Sequence, residues 1–250
     1  MKQLILTADD FGRSPEINAA IEDAYRAGFL TQASLMVNEP AADEALAMAR
    51  RHPGLCVGLH LTLCSGLASQ VSAITDHDRQ LFPTPAEAGL RYAFQPWLLK
   101  ALRTEIRAQF ERFRALGLPS TYWDGHAHLH LHPAVFFLTL PIAAEYGFRG
   151  TRLVREPGAN SPLTLTFSAL SEIGLPSLRQ REMRFADQVF GLSHSGQMST
   201  EIIAQTLAQL PAGLSELYFH PGAEPAPIDY AKLTQQLATE SIQLTNLPAA

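Results

Sequence analysis

Five positions in residues 121–133, TYWDGHAHLHLHP, carry groups that ligate metals or move protons: Asp124, His126, His128, His130 and His132. They recur at every second position and include four of the chain's nine histidines. Alternate side chains of an extended chain point to opposite faces. A strand here would gather Asp124 and the four histidines on one face, with Trp123, Ala127, Leu129 and Leu131 on the other. A polar, metal-ligating face backed by an apolar one suits a barrel interior that ends in an active site. Histidines two apart on a strand sit ~6.6 Å apart at Cα and the row spans ~20 Å, so one ion cannot take all four. The ligand should be the histidine nearest the mouth, with the others supporting it, facing substrate or packing.

Three more places offer the same chemistry. The apolar run Leu4-Ile5-Leu6 leads through Thr7-Ala8 to Asp9-Asp10-Phe11-Gly12, His60 lies in Gly58-Leu59-His60-Leu61, and His220 precedes Pro221-Gly222. Taken singly, the aspartates could cap a helix, His60 could be a core histidine and His220 a turn residue. Taken together, four strand ends each supply a carboxylate or an imidazole, and such groups are costly to bury unless paired or bound. Two histidines and a carboxylate with open positions suit zinc or a related divalent ion used for hydrolysis. Adjacent Asp9 and Asp10 point oppositely on a regular strand, so serving one centre requires the strand to end or bulge there. The residues alone leave open which aspartate is ligand and which is base.

The elements that must position these groups alternate along the chain. Apolar strands are expected at residues 4–8, 33–37, 55–63, 151–154, 185–192, 214–219 and 242–247, besides the histidine stretch. Helices are expected at 15–27 behind the Ser14 cap and Pro15, and at 41–51, 97–116, 163–173, 200–210 and 229–238, with another running from Pro133 to Tyr146. Leu98, Leu102, Ile106, Phe110 and Phe113 show the three- and four-residue spacing of an amphipathic helix. Strands alternating with helices imply a parallel sheet with crossover helices. The expected fold is a single-domain distorted (β/α) TIM-like barrel of seven or eight parallel strands spanning residues 1–250. Residues 65–96, with Asp76-His77-Asp78 and three prolines, lack periodicity and read as a lid-like insertion.

The remaining composition excludes more than it specifies. A chain of 250 residues with 46% hydrophobic and 17% charged residues can fill a core. Its net charge of -5 offers no basic footprint for nucleic acid. Its N-terminus lacks a signal-peptide pattern, and no run approaches the ~18–20 apolar residues of a membrane span, so the cytoplasm is expected. Cys56 and Cys64 flank one apolar strand, too far apart to bridge if it is extended.

The T-A-D-D-F-G opening (7–12), G-L-H-L (58–61), D-G-H-x-H-x-H (124–130) and Y-F-H-P-G (218–222) resemble, in order and over nearly the whole chain, the YdjC-type carbohydrate deacetylases. That group includes chitooligosaccharide deacetylase and the hopanoid-biosynthesis deacetylase HpnK. Residues 105–119, 130–135 and 152–157 are closer to the HpnK branch. The resemblance implies hydrolysis of the N-acetyl group of an N-acetylglucosamine-type amino sugar, on a glycan or a hopanoid glycolipid headgroup. It implies Asp10, His60 and His126 as ligands of one divalent ion (zinc, or magnesium or another ion in its place), Asp9 as general base and His220 as general acid. His128, His130, Asp124 and Arg152 are then substrate-binding or supporting groups, and His132, which extends the usual series, has a packing or lid role. A homodimer and peripheral contact with a glycolipid substrate are further expectations.

Two rivals remain. A barrel phosphoesterase would hold two or three ions, although such sites often place H-x-H near the first strand, where this chain has two aspartates. A non-enzymatic metal-storage or metal-sensing protein would load several ions on residues 126–132 and ignore Asp9 and His220.

Overall fold

The computed structural model describes residues 1–119, 121–158 and 160–247. Eight strands and eight helices alternate for most of the chain: β1 (Lys2–Phe11), α1 (Pro15–Arg26), β2 (Gln32–Leu35), α2 (Ala42–Arg51), β3 (Cys56–Leu61), α3 (Pro85–Phe94), α4 (Leu99–Ala115), β4 (Tyr122–Gly125), α5 (Pro133–Glu145), β5 (Gly150–Thr151), α6 (Pro162–Gln180), β6 (Gln188–Phe190), α7 (Thr200–Ala208), β7 (Gly213–Phe219), α8 (Tyr230–Thr239) and β8 (Ile242–Thr245). Ser120, which ends the turn expected before the histidine stretch, lies outside the described residues.

The strands pair in parallel in the order β5-β4-β3-β2-β1-β7-β6, with β8 beside the first half of β1. Every strand from β1 to β4 is largely buried, as expected where helices cover a parallel sheet. No strand ladder joins β5 to β6 among the described residues, so the expected barrel is a strongly curved sheet whose edges meet only locally. Thr151 N–H donates to Arg184 O (2.9 Å), Arg184 N–H to Arg149 O (2.7 Å) and Val189 N–H to Arg155 O (3.0 Å). β5 is shorter than the expected 151–154 strand and β6 shorter than 185–192, because single bridging contacts replace a ladder there. α6, expected to stop at 173, runs on through Pro176 to Gln180.

Helices close the outer faces as their patterns require. Ser14 Oγ accepts from Ile17 N–H, with Pro15 opening α1. α4 buries Leu102, Ile106, Phe110 and Phe113, and Phe110 meets Trp123 edge-on with ring centroids 6.3 Å apart. Residues 65–84 fold into antiparallel bridges between Leu67 and Gln80 and between Thr75 and Leu81, with Ala68, Ile74 and Leu81 buried. Cys56 and Cys64 are free thiols. No helix among the described residues is long and apolar enough to cross a membrane.

The largest departure concerns the histidine stretch. Only Tyr122–Gly125 is strand; His126–Leu131 coils into short 3-10 turns, with Ala127 (φ 52) and His128 (φ 54) left-handed. Two consecutive non-glycine residues in that region cost roughly 1–2 kcal/mol each, and such strain gathers at functional sites. The chain folds back so tightly that a Cβ on Gly125 would lie 2.8 Å from the His130 Cβ. The expected single face of four histidines therefore does not exist: His126, His128 and His130 are each sent to a different partner.

Candidate metal and catalytic site

β1 delivers both aspartates through a bulge. Its register with β2 shifts between Ala8 and Phe11, and Asp10 adopts φ 64. A bulge turns a side chain that a regular pleat would point away, so Asp9 and Asp10 reach two neighbouring clusters.

In the first cluster Asp10 Oδ1 lies 2.9 Å from His126 Nδ1 and 3.4 Å from His60 Nε2. These three donors come from β1, β3 and the end of β4 and lie within 4.8 Å of one another. Donors at ~2.1 Å from a zinc-like ion sit about 3.0–3.4 Å apart, so the set fits one small divalent cation. His60 Nδ1 is 2.7 Å from Asp124 Oδ1. Donating Nδ1–H to that carboxylate leaves the Nε2 lone pair facing Asp10 and His126, the carboxylate–histidine arrangement of metal sites. Burial opposes charging of His60, but Asp124, Asp9 and Asp10 outweigh it and raise its pKa to about 10. A divalent ion would take the place of the proton that these carboxylates favour on Nε2. Arg13 Nη1 donates to Asp10 Oδ2 at 2.8 Å from the half-exposed rim.

The second cluster already contains its cation. Arg152, 1% exposed, lies across Asp9 with Nη1 and Nη2 donating at 2.7 and 2.8 Å. The same guanidinium reaches Asp124 Oδ2 (2.9 Å) and Glu216 Oε1 (2.9 Å) and stacks 4.6 Å from the Tyr218 ring centre. Thr7 Oγ1 donates to Glu216 (2.8 Å), and Ser34 Oγ to Asp124 (2.8 Å). Burial would raise the Asp9 pKa, yet Arg152, His60 and His220 hold it well below the carboxylate range. Asp9, His60 and Asp124 also approach metal-like spacing, but Arg152 already supplies the charge there. The remaining cluster, Asp76-His77-Asp78, is fully surface-exposed.

The other histidines divide as their rings point. His128 Nε2 meets the Tyr218 hydroxyl (2.7 Å) and His130 Nε2 meets Arg152 O (3.0 Å). Burial first, then Arg152, pushes the pKa of His128 well down, and burial takes His130 down to about 4, so both rings are neutral. His132 occupies the N-cap position of α5 beside Gly89 of α3. His220, at the end of β7, is half-buried, and burial works against its charging while Glu224, Asp9 and Asp10 raise its pKa overall.

Asp9, His128, His132 and His220 line a cavity of about 730 Å³ whose other walls are mainly apolar, including Leu129, Leu163, Phe167, Leu170 and Leu192. Arg152, Asp124 and His130 do not line it: each is 1% exposed or less. Sequence reading missed Glu216 and Glu224. Period two on β7 places Glu216 on the face of Tyr218 and His220, a signal that was available. Glu224 lies beyond a turn, where no periodicity speaks.

Comparison with known proteins follows the same lines. A mouse (Mus musculus) protein named carbohydrate deacetylase is 33% identical over 252 residues, covering 90% of this chain and 79% of its own length. A carbohydrate deacetylase of Brevibacillus brevis is 39% identical over 150 residues, 58% of this chain and 56% of its own. The chitooligosaccharide deacetylase of Serratia marcescens is 35% identical over 169 residues, 66% and 64% respectively. The chain thus spans little more than half of the Brevibacillus relative. Among solved structures, an Enterococcus faecalis protein described as a candidate for cellobiose-phosphate cleavage superposes with a TM-score of 0.72 at 22% identity, over 98% of this chain and 97% of its own. The lactam utilization protein of Thermus thermophilus gives 0.54 at 16%, over 97% and 98%. These two likenesses speak for the fold alone. The family match describes a YdjC-like protein over residues 3–246, and the chain belongs to the YdjC-like family.

Proposed function

We propose that this chain is a metal-dependent N-deacetylase of an N-acetylglucosamine-type amino sugar. The observation that carries the reading is the Asp10–His60–His126 donor set, one residue along β1 from Asp9, with Asp9 and His220 lining one cavity, in a family whose relatives are named carbohydrate deacetylases. Asp10, His60 and His126 would hold one divalent ion, zinc first, which supplies an acidified water and polarisation of the amide carbonyl. Asp9, kept ionised by Arg152, takes a proton from the attacking water. His220 gives a proton to the departing nitrogen as the C–N bond breaks. The water's hydroxyl stays on the acyl carbon as acetic acid, which ionises to acetate, and the proton Asp9 takes equals the one His220 gives to the freed amine, so return of a proton from Asp9 to His220 restores the site. His128, uncharged beside Tyr218, lines the sugar's path.

The apolar walls bear on the substrate's other end. Leu163 on α6 lines the cavity and is 53% exposed, which favours a sugar carrying an apolar aglycone, such as the hopanoid headgroup of the HpnK branch, over a free chitooligosaccharide. On this reading residues 65–96 are the lid, and Pro85, Ala86 and Gly89 within them line the cavity. A cytoplasmic homodimer completes the reading. The phosphoesterase alternative needs a second ion, and Arg152 fills the neighbouring carboxylate cluster.

Acetate release from N,N'-diacetylchitobiose and from an N-acetylglucosaminyl hopanoid, with and without added zinc, tests this. Zinc-stimulated release from either sugar, greater with the hopanoid, is expected. Release from neither, together with two or more ions per chain, would transfer the reading to phosphoester hydrolysis. Asp9→Asn should keep zinc and lose turnover about a hundredfold or more; unchanged turnover removes Asp9 from the base role.

A further inference from the structure

β7 ends at Phe219, and the chain turns back on itself through His220, Pro221 and Gly222. Ala223 N–H donates to His220 O at 3.0 Å, and Gly222 sits at φ 81 against α1, where a Cβ would lie 3.2 Å from the Ala20 Cβ. This tight turn returns Glu224 beneath His220. Glu224 Oε1 accepts from the His220 backbone N–H (3.0 Å), and Oε2 accepts from Met198 N–H (2.7 Å). The carboxylate is therefore clamped at both oxygens, and its side chain is 2% exposed.

Oε1 lies 3.7 Å from His220 Nδ1, ion-pair distance rather than a hydrogen bond. Among the described residues, His220 is the cationic partner within 4 Å of this carboxylate. Nδ1 is buried and without a hydrogen-bond partner, whereas the ring as a whole is 19% exposed and lines the cavity with Asp9. The exposed part of the ring is thus the Nε2 side. A buried carboxylate that meets one imidazole and no other cation favours the charged form of that imidazole.

We propose that Glu224 is the positioning residue of His220: it turns Nε2 toward the cavity and sustains the positive charge with which His220 protonates the leaving nitrogen. The role rests on the reading of His220 as the proton donor but assigns a partner to it that no family motif quoted above includes. The groups that face the ring are Asp9 and Asp10 from β1, Glu224 from its own turn, the edge of the Tyr218 ring 6.0 Å away and, across the cavity wall, neutral His128. Asp9 is committed to Arg152 and Asp10 to His60 and His126, whereas among the described residues Glu224 has His220 as its charged partner.

The sign follows from a raised folded-state pKa: the proton-donating form persists above the ordinary histidine range and is lost as pH rises through the raised value. Two readouts on the full chain test the role. In an NMR titration of the histidine ring protons, Glu224→Gln should move the His220 midpoint to lower pH, and Glu224→Asp, which keeps the charge, should lie between it and wild type. In acetate release from N,N'-diacetylchitobiose or the hopanoid glycoside, Glu224→Gln should shift the alkaline limb of kcat to lower pH. Its kcat above neutrality should fall about tenfold, with KM changed less than about twofold. An unmoved His220 midpoint in folded Glu224→Gln, an Asp variant titrating with the Gln variant, or an equal loss of kcat at every pH would each overturn it. If wild type releases no acetate, the deacetylase reading fails while the titration still decides the role of Glu224. Should Glu224→Gln not fold, Glu224→Asp carries the titration against wild type, and a midpoint identical to wild type's overturns the proposal.

Discussion

The two clusters on either side of the β1 bulge use the same residue types and differ in what balances their charge. Around Asp9, three carboxylates converge on Arg152, a cation that cannot leave or lose its proton. Around Asp10, two imidazoles meet one carboxylate, and among the described residues the one permanent cation there is Arg13 at the rim, 40% exposed. The Arg152 cluster is internally satisfied, and the Asp10 cluster is a donor set whose charge balance calls for an exchangeable ion. Buried acidic residues alone thus do not mark a metal site; the decisive question is whether the chain brings its own counter-charge.

The largest test of that contrast is to remove the built-in cation. Arg152→Met leaves Asp9, Asp124 and Glu216 buried without their shared guanidinium, and breaking a buried pair in this way costs about 3–5 kcal/mol. Chemical denaturation should show a loss of that size, or no folded protein. Glu216, whose pKa burial already raises, would protonate first and soften the loss. A variant of wild-type stability would mean that the second cluster does not depend on Arg152.

The complementary change is His126→Ala. Its side chain is 13% exposed and bonds only Asp10, so the fold should lose little. Zinc binding and deacetylation should fall together, activity by about a hundredfold or more, the scale of the several kcal/mol that a bound ion supplies. Calorimetric zinc titration and acetate release measure the two effects on one sample. A folded His126→Ala protein that keeps full zinc affinity would dissolve the distinction between the clusters.

How much of this was legible beforehand follows the same division. The order of most strands and helices, the Ser14 cap and the gathering of Asp9, Asp10, His60, the start of the histidine stretch and His220 at strand ends could be read from runs and caps, because local pattern governs them; the choice of Asp10, His60 and His126 among them rests on the family resemblance. The histidine row could not. Alternation suggested one strand face, whereas left-handed Ala127 and His128 break the strand after Gly125, a conformation that propensity disfavours and tertiary contacts impose. Arg152 was expected as a substrate-binding or supporting group. Its burial under three carboxylates depends on β1, β4 and β7 together, and no single segment encodes that. The bulge at Asp10 is an intermediate case: two adjacent aspartates required it, but only the register between β1 and β2 located it.

Asp124 belongs to both clusters, and a smaller perturbation there distinguishes their needs. Oδ1 orients His60 and Oδ2 meets Arg152 and Ser34. Asp124→Asn keeps the volume but must place an NH2 on one side. Facing Arg152, it sets donor against donor, although Asp9 and Glu216 still hold the guanidinium. Facing His60, it invites Nδ1 to accept, which moves the ring proton to Nε2 and blocks the lone pair aimed at the Asp10–His126 donor set. The first orientation is the less costly, so the fold should survive and zinc affinity should weaken about 10–100-fold, as when the partner of a metal-ligating histidine is lost. Deacetylation should then recover to within severalfold of wild type once zinc is raised to saturation. Recovery would assign Asp124 to the exchangeable site. Activity that stays low at saturating zinc would assign it instead to the Arg152 cluster, acting through the hold on Asp9.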